Sequence, residues 1–194
     1  MGKLTSIPRL KKQRLSLVSD EYGRAGRFGR LHVVAAPEAS PPFSVDAVAV
    51  EEDTHLLLSA DTEIREPTES LAALTEAVRT TPPNTPGNVL VRKSSPLELL
   101  AIVHDIEREP TWCEEWIASA MHGVFEEAEW RRLGALALPL LGTRHGSISP
   151  TLVAQWAGNC LVRGHLRSLR RLWIVSPPGS EADVMQAFRR GFGS

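Results

Sequence analysis

Cysteine is nearly absent. Cys113 and Cys160 are the only two in 194 residues, and no CxxC pair exists. A disulfide framework and a cysteine-built metal centre are therefore not expected. Both cysteines fall in apolar-periodic helical segments and read as small buried hydrophobes. No apolar run approaches the ~20 residues of a membrane-spanning helix, so no membrane contact is expected. The basic start MGKLTSIPRLKKQRLSLV lacks an apolar core of signal-peptide length, and a cytoplasmic location is the expectation. An excess of charge is missing as well. The 22 Lys and Arg nearly balance 23 Asp and Glu, for a net charge of -1, which singles out neither a polyanionic nor a polycationic partner. What remains is a chain with 42% hydrophobic residues, long enough for one sizeable core.

Charge is nevertheless uneven along the chain. Lys3, Arg9, Lys11, Lys12, Arg14, Arg24, Arg27 and Arg30 face only Asp20 and Glu21 in the first thirty positions, where Gly23, Gly26 and Gly29 also cluster. Residues 1–28 read as a basic extension and 29–194 as one domain. A basic arm can touch nucleic acid. Aromatic interleaving is limited to Tyr22 and Phe28, so an extension packed on the domain is the preferred reading.

Periodicity divides the domain into alternating elements. Leu31–Ala36, Val45–Val50, Asn88–Lys93, Leu99–Ile106, Ala135–Leu141 and Arg171–Val175 read as strands, with Leu56–Leu58 a short further piece. Thr68–Arg79, Pro110–Arg132, Pro150–Arg163 and Glu181–Arg190 read as helices. In the second of these, Cys113, Trp116, Ile117, Ala120, Val124 and Phe125 share a face, and Gly134 suits a left-handed C′ position. Ser95-Pro96-Leu97-Glu98 mimics a capping box. The tryptophans fall among apolar neighbours and read as core. The alternation predicts an α/β sandwich on a mixed, largely parallel sheet, with ligands at the carboxyl ends of the strands.

One loop at such an end stands out. ALALPLL runs into Gly142-Thr143-Arg144-His145-Gly146-Ser147, after which Ser149 fits a helix N-cap and Pro150 the first helical position. Backbone N–H groups there, with the positive end of the helix dipole, form an anion-site candidate. An ordinary βα turn is the competing reading. Arg144 offers a two-pronged fork for a phosphate, and His145 a donor that titrates near neutral pH. Asp53 and His55 flank Thr54 near a strand end, and an Asp–His pair suits acid–base work. His32 and His104 lie in strands and read as satisfied structural histidines. No metal site and no cofactor is expected.

The order of elements resembles the macro domain family. Val45-Asp46-Ala47-Val48 looks like the start of that family's V-D-A-I-V-N-A-A-N strand. Ala137-Leu138-Pro139-Leu140-Leu141-Gly142-Thr143 looks like the run leading into its glycine-containing phosphate loop. Leu172-Trp173-Ile174-Val175 looks like its last strand. The likeness spans about Gly29–Phe192. It implies a three-layer α/β/α fold and a cleft for ADP-ribose or a related nucleotide diphosphate. It also implies a binding set of Gly142, Thr143, Arg144, His145, Gly146 and Ser147 around the diphosphate and the distal ribose. Glu38 would hold the adenine amino group, and Ser176 would lie near the adenine. Two departures stand out. The family's asparagines fall on Val50 and Asp53, and its first glycine-rich loop on Leu58-Ser59-Ala60-Asp61-Thr62, without glycine and amid Glu51, Glu52, Asp53, Asp61 and Glu63. Asp53 is the candidate for a ribose contact or for catalysis. The alternatives to binding are an interaction module on the same scaffold and an ADP-ribosyl or phosphomonoester hydrolase.

Overall fold

A computed structural model describes residues 23–59, 82–163 and 166–193. Short aliphatic runs form its strands: β1 (Ala25–Phe28), β2 (Leu31–Ala36), β3 (Ala47–Asp53), β4 (Val89–Arg92), β5 (Leu97–His104), β6 (Ala135–Pro139) and β7 (Arg171–Val175). Three described helices follow the later strands: α1 (Glu114–Trp130), α2 (Pro150–Arg163) and α3 (Glu181–Phe192). The strands form one sheet in the order β1-β2-β7-β6-β3-β5-β4. Its five inner strands run parallel, while β1 and β4 pair antiparallel at the two edges. The expected mixed, largely parallel α/β fold is therefore the observed one.

In β2, Leu31, Val33 and Ala35 are buried and their neighbours half-buried, the period of two that a strand imposes. The same alternation brings Ala47 and Ala49 of β3 and Leu99, Ala101 and Val103 of β5 into one core. Ile117, Met121, Val124 and Phe125 of α1, Val153 and Ala157 of α2, and Val184, Met185 and Phe188 of α3 complete it. Leu100, Ile102, Ala137 and Trp173 are buried outside that cluster. The helix expected at Thr68–Arg79 lies outside the described residues, as do residues 1–22.

Several boundaries differ from the sequence reading, each for a local reason. The sheet begins at Ala25, inside the stretch read as an extension, because β1 pairs with β2 from Ala25↔Val34 to Phe28↔Leu31. β3 runs on to Asp53, since its last side chains bond to the loop that follows. Leu56–Leu58 is that loop, with Leu56 at a φ of 60°, and not a strand. Glu98 sits in β5 paired to Arg92, so Ser95–Glu98 caps no helix. α1 starts at Glu114 with Cys113 as N-cap, leaving Pro110–Trp112 in the approach loop. Its C-terminus is a Schellman turn: the Arg132 N–H donates to Glu129 O and the Leu133 N–H to Ala128 O. Arg132, at φ 58°, holds the left-handed position. Gly134 instead donates its N–H to Asp46 Oδ2 at 2.7 Å, as Ala135 does at 2.9 Å. Asp46 thereby ties the start of β3 to that of β6.

Cys113 and Cys160 are half-buried and unbridged. Burial pushes the Cys113 thiol above its ordinary value. Trp173 is core, while Trp130 is 75% exposed under the Arg131 guanidinium, an exception to the reading of the tryptophans as mostly core. No described helix is long and apolar enough to cross a membrane.

Candidate functional site

Parallel strands β3, β5, β6 and β7 end on one edge of the sheet, and their following loops meet there. Leu140 and Leu141, both buried, anchor the loop after β6. Gly142 sits at φ +80°, a region costly to any side chain, and a Cβ on it would lie 2.6 Å from Ile148 Cδ1 and 2.8 Å from Ile117 Cδ1. Its carbonyl accepts the N–H groups of Gly146 (3.0 Å) and Ile148 (3.4 Å), which rounds the chain into a tight bend. Thr143 closes the bend by donating both its N–H and its hydroxyl to Leu140 O. A Cβ on Gly146 would meet Gly142 O at 2.6 Å and Trp112 Cδ1 at 2.7 Å, so this position admits glycine alone. Ser147, at φ 55°, turns the chain into α2, where the Ser149 carbonyl accepts from Leu152 and Val153. The Ser149 hydroxyl bonds to Thr151 Oγ1 at 2.9 Å.

The donors left over define what the loop can bind. The amides of Gly142, Thr143, Gly146 and Ile148 are committed. Those of Arg144, His145 and Ser147 donate to no described residue. Arg144 and His145 are themselves exposed, and Arg144 pairs with no described carboxylate. Three amides, a guanidinium and an imidazole thus lie on one short loop at a helix N-terminus, a setting that attracts a phosphate-sized anion.

Beneath the loop runs a chain of buried polar groups. Glu51 Oε2 accepts the Gly142 N–H at 2.8 Å, and Glu51 Oε1 meets His104 Nε2 at 2.6 Å. His104 Nδ1 reaches Thr111 Oγ1 at 3.2 Å. The exposed His145 ring stands edge-on to the His104 ring, centroids 5.9 Å apart. His104 is 2% exposed and both its nitrogens are bonded, the satisfied structural histidine of the sequence reading. Glu51, Thr111 and Trp112 are site residues that the sequence reading did not assign. The cluster Glu51-Glu52-Asp53 at a strand end was the signal for Glu51; Thr111 and Trp112 join the site only through tertiary contacts.

The next two acids bond the loop that follows β3 instead. Asp53 is fully buried. Its Oδ1 accepts the His55 N–H at 2.6 Å, and Oδ2 those of Leu57 and Leu58 at 2.9 and 3.0 Å. Glu52, also fully buried, accepts from Leu58 at 2.8 Å and Ser59 at 3.1 Å, and from Asp53 itself at 3.1 Å. Thr54 follows, with Asn84 bonded through both its N–H and its side-chain amide to Thr54 O. The Asp53–His55 pair is joined through backbone, not through the ring.

Ser176 is buried just past β7. Its N–H donates to Ala36 O at 3.0 Å and its hydroxyl has no partner. Glu38 is exposed in the turn after β2, where Ser40 N donates to Pro37 O. The structure thus brings Gly142–Ser147 and Asp53 to adjoining loops of one edge, with Ser176 and Glu38 toward β7 and β2. No group of three His, Cys, Asp or Glu among the described residues is arranged to hold a metal.

The fold is that of a macrodomain. No family model matches the chain, and no curated protein matches it. Solved structures do. The Oceanobacillus iheyensis macrodomain with ADP superposes with a TM-score of 0.61 at 10% identity, over 87% of this chain and 95% of that one. A mutant of it with ADPR gives 0.60 at 11% identity, over 87% and 97%. The Trypanosoma brucei macrodomain in complex with ADP gives 0.54 at 12%, over 80% and 68%.

Proposed function

We propose that this protein binds ADP-ribose or a related nucleotide diphosphate, and that the loop Gly142–Ser147 holds its phosphate. One observation carries the reading. The amides of Arg144, His145 and Ser147 donate to no described residue, and they share with the exposed Arg144 side chain the loop that leads into α2, on the carboxyl edge of a largely parallel sheet. Solved neighbours of the same fold hold ADP or ADPR. Thr143 and the two glycines shape the loop. The buried unpartnered hydroxyl of Ser176 and the exposed carboxylate of Glu38 are assigned to the adenine end. Asp53 contributes from behind, since its oxygens already serve backbone amides.

Titration calorimetry with ADP-ribose tests this. Saturable binding is expected for the natural chain. Gly146→Val forces the bend away from Trp112 and Gly142 O and is expected to weaken binding by about tenfold or more, the equivalent of ~1.4 kcal/mol. A folded natural chain that gives no heat at millimolar ligand overturns the proposal. That outcome favours the second reading, an interaction module on a macrodomain scaffold, to which the acid-filled loop after β3 already points. Hydrolysis has less support, because the carboxylate assigned to it is buried and bonded on both oxygens.

A further inference from the structure

The loop after β3 is itself an anion-binding device, and its anions are the protein's own. The N–H groups of His55, Leu57, Leu58 and Ser59 point inward on the carboxylates of Glu52 and Asp53, at 2.6 to 3.1 Å for the shortest bond of each. Both carboxylates are fully buried. A charge withdrawn from water needs this many donors to persist, and donors so used are not available to a ligand. Glu51 does the same to the Gly142 amide on the neighbouring loop. Three consecutive acids therefore engage six backbone donors at this edge of the sheet: Asp53 itself, four after β3 and one at Gly142. Glu52 and Asp53 also place their carboxylates where an anion on the amides of residues 55–59 would sit.

We propose that Glu52 and Asp53 are built-in occupants of the second anion loop, so that a nucleotide is gripped by a single phosphate on Gly142–Ser147 and gains nothing from a group extended toward β3. This rests on the nucleotide-binding reading above and narrows it to a specificity. The ligand class is set by one phosphate and its nucleoside, and the distal ribose of ADP-ribose gains no partner from the loop after β3. The carboxylates act as specificity-determining residues by exclusion.

The test is a backbone NMR titration of the full chain with AMP and, separately, with ADP-ribose. Both are expected to shift the amides of Arg144, His145 and Ser147 and to leave those of His55, Leu57, Leu58 and Ser59 unmoved. Their affinities should agree within about threefold. Overturning results are movement of the 55–59 amides with ADP-ribose and tighter binding of it than of AMP by about tenfold. Glu52→Gln keeps an acceptor oxygen while removing one charge. With its folding checked by thermal unfolding, it should bind ADP-ribose several-fold tighter and leave AMP unchanged. Equal affinities for both ligands in natural and variant chains count against the role of Glu52. If the natural chain binds neither nucleotide, the binding proposal fails and the occupancy is read without ligand. Slow exchange of the His55, Leu57, Leu58 and Ser59 amides, accelerated in Glu52→Gln, supports it. Fast exchange in the natural chain overturns it.

Discussion

Glu129 illustrates how a single residue sets a loop by the same chemistry that fills the cleft. From the last turn of α1 its carboxylate accepts the N–H of Arg167 at 2.8 Å and of Ser168 at 2.8 and 3.0 Å, which seats the chain just before β7. Burial pushes its pKa up, but these amide bonds outweigh burial and hold it below the ordinary 4.5. A group depressed in the folded state stabilises fully above its unfolded value and loses that contribution as pH falls through the folded value. Glu129→Gln should therefore cost about 1 kcal/mol in urea unfolding at pH 7. The difference from the natural chain should shrink steadily once the pH drops below 4.5. A pH-independent difference would contradict the assignment. At this scale the sequence was partly legible. The acidic run at Glu51–Asp53 and the glycines at 142 and 146 were visible as departures and punctuation. Which amides each carboxylate would take was not, because those partners lie on separate segments or depend on the path of a turn.

Elements bring these residues together by close packing. α2 and α3 touch backbone to backbone where Gly158 meets Phe188 O and Gly191 meets Gln155 O, with no room for a Cβ at either. Crowding of this kind forces the helices apart. Gly191→Ala is expected to destabilise the fold by about 2 kcal/mol or more, measured by chemical denaturation. Because α2 begins at the phosphate loop, the same variant should weaken ADP-ribose binding. A variant of natural stability would show that the helices separate at little cost. Elements with a strong period were legible from sequence: α2 and β7 lie at the predicted residues, and α3 runs slightly longer. Errors fell where tertiary bonds override local preference. β3 continues through three acids because Glu51 bonds Gly142 and His104 while Glu52 and Asp53 serve the next loop. Pro110–Trp112 stays out of α1 because Thr111 holds His104 and Trp112 packs on Gly146.

The whole molecule is closed at one side by an edge strand that composition alone would discard. β1 carries Gly26 and Arg27 and belongs to a basic stretch, yet Phe28 packs edge-on to Phe188 at 5.1 Å and to Phe192 at 4.7 Å. Removing residues 1–28 exposes β2 as a bare edge and empties that aromatic corner. A chain beginning at Gly29 should lose about 3 kcal/mol or more and associate through its open edge, as seen by denaturation and light scattering. A chain beginning at residue 23 keeps both features and should remain monodisperse. Equal behaviour of the two truncations would place β1 outside the cooperative fold.

Periodicity and turn residues in the chain were enough for the alternation of strands and helices, the carboxyl-edge position of Gly142–Ser147 and its glycine-closed bend. These follow from periodicity and local backbone sterics within a few residues. Long-range packing, by contrast, sets β1 into the sheet, links His104 to Gly142 through Glu51, and fills the neighbouring loop with Glu52 and Asp53. Such assignments depend on which distant or turned-back amide comes within hydrogen-bonding reach of a buried charge. Desolvation compels the charge to find one, but the chain order does not say which.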